Sequence, residues 1–200
     1  MEKVKKLEVY EKALIIVDMV NGFVEEGVLH DKKISRIIPR QLELIQKNHQ
    51  QQGLTIFIKD SHTERSTEFK RFNNTKHCLT GSKESKVVDD LKEWESAPDT
   101  ISIMKNSTSF MESPDFRQTV EQLTSLKAID IVGCCTDICI VNGAIALANY
   151  FDQWNKDIPI TVHEDAIATY DEENRSNYVE AAKLLMAQQG IQLVKKRQFF

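Results

Sequence analysis

The sequence contains little glycine and proline, seven and four residues among 200, and none of its apolar runs is longer than a strand. The longest of these runs, such as residues 13–17, fall far short of the ~20 apolar residues that a membrane-spanning helix needs, so we predict no membrane association. Basic residues do not cluster with aromatic ones and the net charge is -4, which argues against nucleic-acid binding. The charged N-terminus has no apolar segment after it, so we expect no signal peptide.

Cysteine is scarce and unevenly placed, because three of the four cysteines crowd into residues 134–139. Small secreted proteins space their cysteines to cross-link distant segments, so this pattern predicts a reduced, cytoplasmic protein. The crowded trio also lacks the paired C-x-x-C units of a thiolate metal site. Three other motifs are missing: the G-x-S-x-G turn of serine hydrolases, the phosphate-binding G-x-x-x-x-G-K loop and the dinucleotide-binding G-x-G-x-x-G.

Six short apolar, β-branched runs alternate with helical patterns along the chain. The runs cover residues 13–17, 54–59, 100–104, 128–132, 158–163 and 191–194, and helical spacing recurs around residues 38–45, 113–123, 138–148 and 178–185. Most runs are continuous, as expected of parallel strands buried on both faces. The alternation predicts an α/β fold: a three-layer sandwich with a six-stranded, mainly parallel sheet and helices on both faces. We expect the strands in the Rossmann-like order 3-2-1-4-5-6.

We expect a single domain over residues 1–200, with an N-terminal extension at 1–11 and an excursion at 60–99. The first part of this excursion is polar, irregular and dense in His, Asp and Glu. Loops of this length inside a compact domain are usually functional or disordered, and the composition here favours function.

Reactive side chains follow four of the predicted strands: Asp18 the first, the Asp60–His62 pair the second, Lys105 the third and Cys139 the fourth. In open α/β sheets, ligands bind beyond the carboxyl ends of the strands. Each residue alone has a simple structural explanation, as a helix cap, a solvated strand end or a loop residue. Together they make a coherent site, because a nucleophilic thiol needs a base and a charge that stabilises the thiolate.

The placement of Cys139 is the most informative single feature. A strand runs into Gly133 and then into Thr136 and Asp137, both good helix N-caps, which predicts that Cys139 lies in the first turn of the next helix. Unpaired N–H groups and the helix dipole would lower the pKa of a thiol there. The alternative is that Cys139 is a small buried hydrophobic residue, as cysteine often is.

Asp60 and His62 are two residues apart in an extended segment, so both side chains can reach one metal ion. His77 and a loop carboxylate, Glu64 or Glu68, would complete a set that suits a divalent transition metal. We expect zinc first, with iron and manganese as alternatives. The competing interpretation is a solvated acidic loop with surface histidines.

These motifs resemble the isochorismatase-like cysteine hydrolases, which include nicotinamidases, isochorismatases and several small amidohydrolases. The resemblance covers about residues 12–195. It rests on Asp18, Lys105 and the Gly-x-x-Thr-Asp-x-Cys element at 133–139, together with the segments 17–23, 59–62 and 165–169. The chain departs from the family at Gly22, where Asp is frequent, and at residues 75–76, where the family often has two prolines.

The resemblance implies a role for each matching residue. Cys139 would be the nucleophile, Asp18 its base, Lys105 the stabilising cation, and the backbone N–H groups of Cys135 and Cys139 the oxyanion hole. The peptide between Cys134 and Cys135 would be cis. Phe23 would stack on the substrate ring, and the metal ligands would be Asp60, His62, Glu68 and His77.

Isochorismatases generally lack these metal ligands, so the resemblance is greatest to a nicotinamidase. It implies hydrolysis of nicotinamide, or a close heteroaromatic amide, to the acid and ammonia through a thioester. It also implies a small-molecule amide as the partner, in a protein that we expect to be a homo-oligomer. The alternatives are a hydrolase of another small amide, ureido or enol-ether substrate, and a catalytically inactive binding protein.

Overall fold

The computed structural model describes residues 6–196 and contains a six-stranded parallel sheet in the order β3-β2-β1-β4-β5-β6. This arrangement confirms the predicted α/β fold and strand order. The strands are β1 (Lys12–Val17), β2 (Leu54–Asp60), β3 (Thr100–Lys105), β4 (Ala128–Cys134), β5 (Ile160–Ala168) and β6 (Gln192–Val194). Within the predicted N-terminal extension, residues 1–5 lie outside the described residues, and Leu7–Val9 form a short 3-10 helix before β1.

Helices cover both faces of the sheet. They are α1 (Asn21–Val24), α2 (Ile38–Gln50), α3 (Asp89–Glu95), α4 (Pro114–Gln122), α5 (Val141–Gln153) and α6 (Glu172–Gln188). Adjacent residues of β1 point to opposite faces, so Ile15 packs with α4, α5 and α6 while Ile16 packs with α1, α2 and α3. The sheet is therefore the middle layer between two hydrophobic cores, which explains why its strands are continuously apolar.

Two details differ from the sequence-based expectation. Strand β5 continues to Ala168 rather than ending near residue 163. The prediction was too short because the half-buried polar residues 163–165 interrupt the apolar pattern of the strand. In α6 the buried side chains are Val179, Ala182 and Met186, whereas Tyr178 and Leu185 are 64% and 52% exposed.

The spacing in the sequence suggests that Tyr178, Ala182 and Leu185 form the buried face of α6. The observed face keeps Ala182, but Val179 and Met186, each one position further along the chain, take the places of Tyr178 and Leu185. Helical spacing of three to four residues fits either choice, so the sequence does not distinguish them. Among the described helices, none is both long and apolar enough to cross a membrane.

The excursion at 60–99 packs against the rest of the protein instead of extending into solvent. It contains the 3-10 turn Thr67–Phe72 and helix α3. An isolated bridge from Val20 to Val87 attaches it to the rest of the protein, and a second bridge, from His62 to Leu79, lies within it. Its first half brings polar side chains back to the sheet edge.

The excursion also explains Gly22. A Cβ atom at this position would lie 2.6 Å from the sulfur of Cys78 and 3.0 Å from Cβ of Glu84. The backbone N–H of Gly22 donates to the carbonyl of Glu84, and the Glu84 carboxylate accepts the N–H of Cys78. The space that an Asp side chain would need at position 22 is occupied by Cys78 and Glu84.

We therefore expect Gly22→Ala to lower the free energy of unfolding by about 1–3 kcal/mol, as overpacking of a filled core does. Urea denaturation measures the change. Lys83→Ala, on the exposed surface of the same excursion, is the control and should shift stability by less than about 0.5 kcal/mol. Equal stability of Gly22→Ala and the unmodified protein would contradict the packing described here.

Candidate active site

The carboxyl ends of three neighbouring strands bring charged side chains to one point. Asp60 and Lys105 are the last residues of β2 and β3 and are register partners in the sheet. Asp18 directly follows β1 and has a left-handed backbone conformation with φ 52°. All three side chains are buried. The structure thus brings together the residues that the strand ends indicated.

The ammonium group of Lys105 is the centre of this cluster. Its Nζ lies 2.8 Å from Oδ2 of Asp18, 2.7 Å from Oδ1 of Asp60 and 3.5 Å from Sγ of Cys139. Burial alone would lower the pKa of Lys105, but the carboxylates of Asp18 and Asp60 outweigh it and hold that pKa well above its usual value. Lys105 therefore remains a cation beside the thiol.

Asp18 has the properties of a general base. Burial raises its pKa to about 6, against the lowering effect of Lys105 and with a further increase from Asp60. Its Oδ1 is buried with no hydrogen-bond partner among residues 6–196. A carboxylate with this pKa is ionised at neutral pH and takes up a proton more readily than an ordinary aspartate does.

The turn that carries Cys139 differs from the expected helix start. A π-helical turn, Thr136–Ile140, precedes α5, and its N-cap residue is Cys135, which makes no side-chain cap. Thr136 and Asp137 lie inside the turn, so the prediction that they cap the helix was wrong. The carbonyl of Cys135 accepts N–H groups from Ile138 and Ile140, each at 3.1 Å.

The expectation of a lowered thiol pKa was also wrong. Burial raises the pKa of Cys139 well above its usual value, and Lys105 offsets only part of this. The thiol is therefore protonated at rest, and a nucleophilic role requires a base to remove its proton during attack.

The backbone before this turn is constrained by close approach to β1. Gly133 has φ 122°, and a Cβ atom there would lie 2.0 Å from the carbonyl oxygen of Val17. The peptide between Cys134 and Cys135 is cis, as the family resemblance implied. The oxyanion-hole roles of the Cys135 and Cys139 N–H groups stay predictions.

A second group of side chains adjoins Lys105 through Asp60. Asp60, His62, Glu68 and His77 are all buried and place one potential ligand atom each within 4.8 Å of one another. Oδ2 of Asp60 lies 2.9 Å from Nε2 of His62 and 3.5 Å from Nε2 of His77, and Oε1 of Glu68 lies 3.7 Å from Nε2 of His62.

The donors of this group fit a divalent transition metal. Two imidazoles and two carboxylates are ligands that zinc, iron and manganese share. Oε2 of Glu68 is buried without a hydrogen-bond partner in the described part of the chain, as expected of an oxygen placed for a cation. Glu64, the other carboxylate considered, is exposed and pairs with Lys76. The burial of His62 and His77 rules out surface histidines on a solvated loop.

Both histidines have an outer partner that the sequence did not indicate. Nδ1 of His62 lies 2.7 Å from Oδ1 of Asn106, and Nδ1 of His77 lies 3.0 Å from the carbonyl oxygen of Thr75. When Nδ1–H donates to these oxygens, the Nε2 atoms that face Asp60 are free to bind a metal. The position of Asn106, directly after Lys105, is the one signal that could have drawn attention to it.

Aromatic rings surround His77. The ring centroids of Phe23, Phe69 and Phe72 lie 5.9, 5.4 and 5.8 Å from that of the His77 imidazole. Phe23 is almost fully buried. The candidate substrate-stacking residue thus lies beside the candidate metal group, and a planar ring bound there would contact both.

The fold and the site define a three-layer α/β protein with an Asp–Lys–Cys cluster next to a His–carboxylate group at the carboxyl edge of a parallel sheet. Residues 12–194 match the Isochorismatase domain. The chain therefore belongs to the isochorismatase family of hydrolases, which confirms the resemblance found in the sequence.

Individual relatives are similar at low identity. Nicotinamidase 1 of Arabidopsis thaliana is 28% identical over 140 residues, which are 64% of this chain and only 56% of that protein. The pyrazinamidase of Pyrococcus horikoshii, solved in complex with zinc, is 25% identical with a TM-score of 0.72, covering 93% of this chain and 99% of that one. The N-carbamoylsarcosine amidase of Thermoplasma acidophilum has 21% identity and a TM-score of 0.71, covering 94% and 98%, and shows the shared fold.

Proposed function

We propose that this protein is a metal-dependent amidase that converts nicotinamide, or a close heteroaromatic amide, to the carboxylic acid and ammonia. The observation that carries the proposal is the position of Lys105, whose Nζ contacts both the Asp18–Cys139 pair and the metal-ligand candidate Asp60. The similarity to a nicotinamidase and to a zinc-bound pyrazinamidase supports it.

In the first half of the reaction, Asp18 takes the proton of the Cys139 thiol as the sulfur attacks the amide carbonyl. Lys105 stabilises the thiolate and keeps the ionised pair together. The C–S bond forms, the C–N bond breaks, and Asp18 returns the proton to the nitrogen, which leaves as ammonia. The product of this half is a thioester on Cys139.

In the second half, Asp18 accepts a proton from a water molecule that attacks the thioester carbonyl. A C–O bond forms, the C–S bond breaks, and the proton returns to the sulfur of Cys139 as the acid leaves. In both halves the backbone N–H groups of Cys135 and Cys139 would bind the carbonyl oxygen while it carries negative charge. Phe23 would hold the substrate ring by stacking.

The residues that would hold the metal are Asp60, His62, Glu68 and His77. A divalent ion held by them, zinc first and iron or manganese as alternatives, would supply Lewis-acid chemistry that suits the ring nitrogen of the substrate. Asn106 and the carbonyl of Thr75 keep the two imidazoles in the tautomer that such a site requires. The small-molecule partner is then an aromatic amide; the homo-oligomer and the cytoplasmic location stay predictions.

A second candidate is hydrolysis of a ureido compound, because the fold is shared with an N-carbamoylsarcosine amidase. The initial rates of ammonia release from nicotinamide, benzamide and N-carbamoylsarcosine distinguish the two. We expect nicotinamide to have the highest kcat/KM, with benzamide at least about tenfold lower because it lacks the ring nitrogen. A higher kcat/KM for N-carbamoylsarcosine would replace the proposal with the ureido alternative. Equal kcat/KM values for nicotinamide and benzamide would show that the ring nitrogen does not contribute, and the contact between metal and substrate would be dropped from the proposal.

The pKa of Asp18 gives a pH dependence. A base acts only when it is deprotonated, so with a pKa of about 6 the value of kcat/KM should be constant above that pH and fall as pH decreases through it. Below the pKa the decrease should approach about tenfold per pH unit. Asp18→Asn should remove the transition along with most activity. A profile that stays flat down to pH 4.5 in folded, metal-loaded protein would show that Asp18 is not the base.

A further inference from the structure

The turn that carries Cys139 is anchored to later segments of the chain through one of its own side chains, the buried carboxylate of Asp137. Oδ1 of Asp137 accepts the hydroxyl of Thr169 at 2.6 Å, just after β5. Oδ2 accepts both Nε and Nη2 of Arg175, at 2.9 and 2.5 Å, from the first part of α6. Asp137 is two residues before Cys139, and its side chain is 1% exposed.

Arg175 is itself held in place. Its guanidinium carbon lies 4.5 Å from the ring centroid of Tyr170 and 5.4 Å from that of Tyr178. A guanidinium between two aromatic rings and a carboxylate loses little further freedom when it forms its hydrogen bonds. Most of the arginine side chain is shielded from solvent, so its pairing with Asp137 is stronger than a surface ion pair.

The anchored segment is a π-helical turn, a conformation rarely stable on its own and common at functional sites. Loss of the guanidinium would leave the Asp137 carboxylate buried with the Thr169 hydroxyl as its only side-chain donor among the described residues. A buried, poorly paired carboxylate moves towards water when the backbone allows it. Any shift of the turn moves Cys139, whose sulfur must remain close to Lys105.

We propose that Arg175 is a positioning residue for Cys139. It acts through Asp137 and keeps the turn oriented so that the thiol stays beside Lys105. The proposal rests on the proposed role of Cys139 as the nucleophile, but not on the identity of the substrate. It assigns to the first turn of α6 a function in the reaction that is distinct from its contribution to the core.

Three variants test the proposal. Arg175→Met keeps the length of the side chain and removes the guanidinium, and Arg175→Lys keeps the charge and loses the paired N–H donors. Arg36→Met is the matched control. Arg36 pairs with Glu172, which lies on α6 like Arg175, but Arg36 does not pair with Asp137. Each variant is assayed for kcat, KM and thermal unfolding. Alkylation of Cys139 by iodoacetamide is followed by peptide mass spectrometry.

For Arg175→Met we expect kcat per folded molecule to fall about tenfold to 100-fold with KM within about twofold, as misplacement of a reacting group does. Alkylation of Cys139 should slow by at least about threefold, because a thiol that is protonated at rest ionises less readily when it loses contact with the charge of Lys105. Arg175→Lys should recover part of both losses, and Arg36→Met should match the unmodified protein.

Two results would overturn the proposal: a lower unfolding temperature of Arg175→Met with unchanged kcat and alkylation rate, or equal losses in Arg36→Met. If Arg175→Met does not fold, the same readouts on Arg175→Lys decide, and unchanged alkylation and kcat in that variant count against the proposal. Failure of the unmodified protein to hydrolyse nicotinamide is a separate result. It refutes the proposed substrate, while alkylation of Cys139 still tests the role of Arg175.

Discussion

Cys139→Ala is expected to lower kcat for nicotinamide by at least about 10⁴-fold, to the level of an enzyme without its nucleophile. The sulfur of Cys139 lies 3.5 Å from Nζ of Lys105, which in turn contacts Asp18, so removal of the sulfur leaves the base with no group to activate. Ammonia release measures the loss, and circular dichroism checks that the variant is folded.

Cys78→Ala is the matched control, because Cys78 is equally buried and belongs to the same excursion as the metal-ligand candidates. Burial raises the pKa of its thiol above its usual range, and its sulfur packs against Gly22 and Glu84. We expect Cys78→Ala to retain most activity. Equal loss in the two variants would mean that the effect of Cys139→Ala comes from packing.

His62→Ala is expected to lose both the bound metal and turnover while the protein stays folded. His62 is fully buried, its Nε2 faces Asp60 and Glu68, and its Nδ1 is oriented by Asn106. Metal content by elemental analysis after dialysis, together with ammonia release, measures both losses. His49→Ala removes an exposed histidine of α2 and should change neither quantity.

Chelation provides an independent test of the same site. Removal of the metal from the unmodified protein should stop ammonia release, and addition of a divalent transition metal should restore it. Full activity of a demonstrably metal-free preparation would refute the metal-dependent mechanism. The substrate would then have to be sought more widely among the small amides and related compounds that this family hydrolyses.

Much of the fold could be predicted because continuous apolar runs report strands that are buried on both faces. β1 and β4 are of this kind, and their predicted cores fall inside the observed strands. β5 was predicted too short, since the half-buried polar residues 163–165 interrupt its apolar pattern before the buried residues 166–168 complete the strand. The exposed apolar side chains of α6 show a second limit of sequence patterns. Helical spacing identifies a helix, but it does not tell which of two adjacent stripes of side chains is buried.

The candidate site could be predicted as far as strand geometry determines it. Asp18, Asp60 and Lys105 follow from the rule that strand ends meet at one edge, and His62 follows from its spacing to Asp60. The choice of Glu68 over Glu64 depends on how the excursion folds back, which no local pattern encodes.

The environment of the thiol was the main error. The sequence placed Cys139 near a helix start, where a lowered thiol pKa is usual, but tertiary packing buries it and raises that pKa. The side chain of Asp137, expected to cap the helix, is instead engaged by Thr169 and Arg175 from distant parts of the chain. Both features depend on contacts between residues more than 30 positions apart, which single-sequence patterns do not report.

The central claim is that the thiol of Cys139 hydrolyses nicotinamide at a site that holds a metal. The most direct measurement is the joint quantification of ammonia and pyridine-3-carboxylate formed from nicotinamide by the metal-loaded protein and by Cys139→Ser with equal metal content. We predict equimolar amounts of the two products from the unmodified protein and neither from the variant. The absence of both products from folded, metal-loaded protein, or their undiminished formation by Cys139→Ser, would contradict the claim.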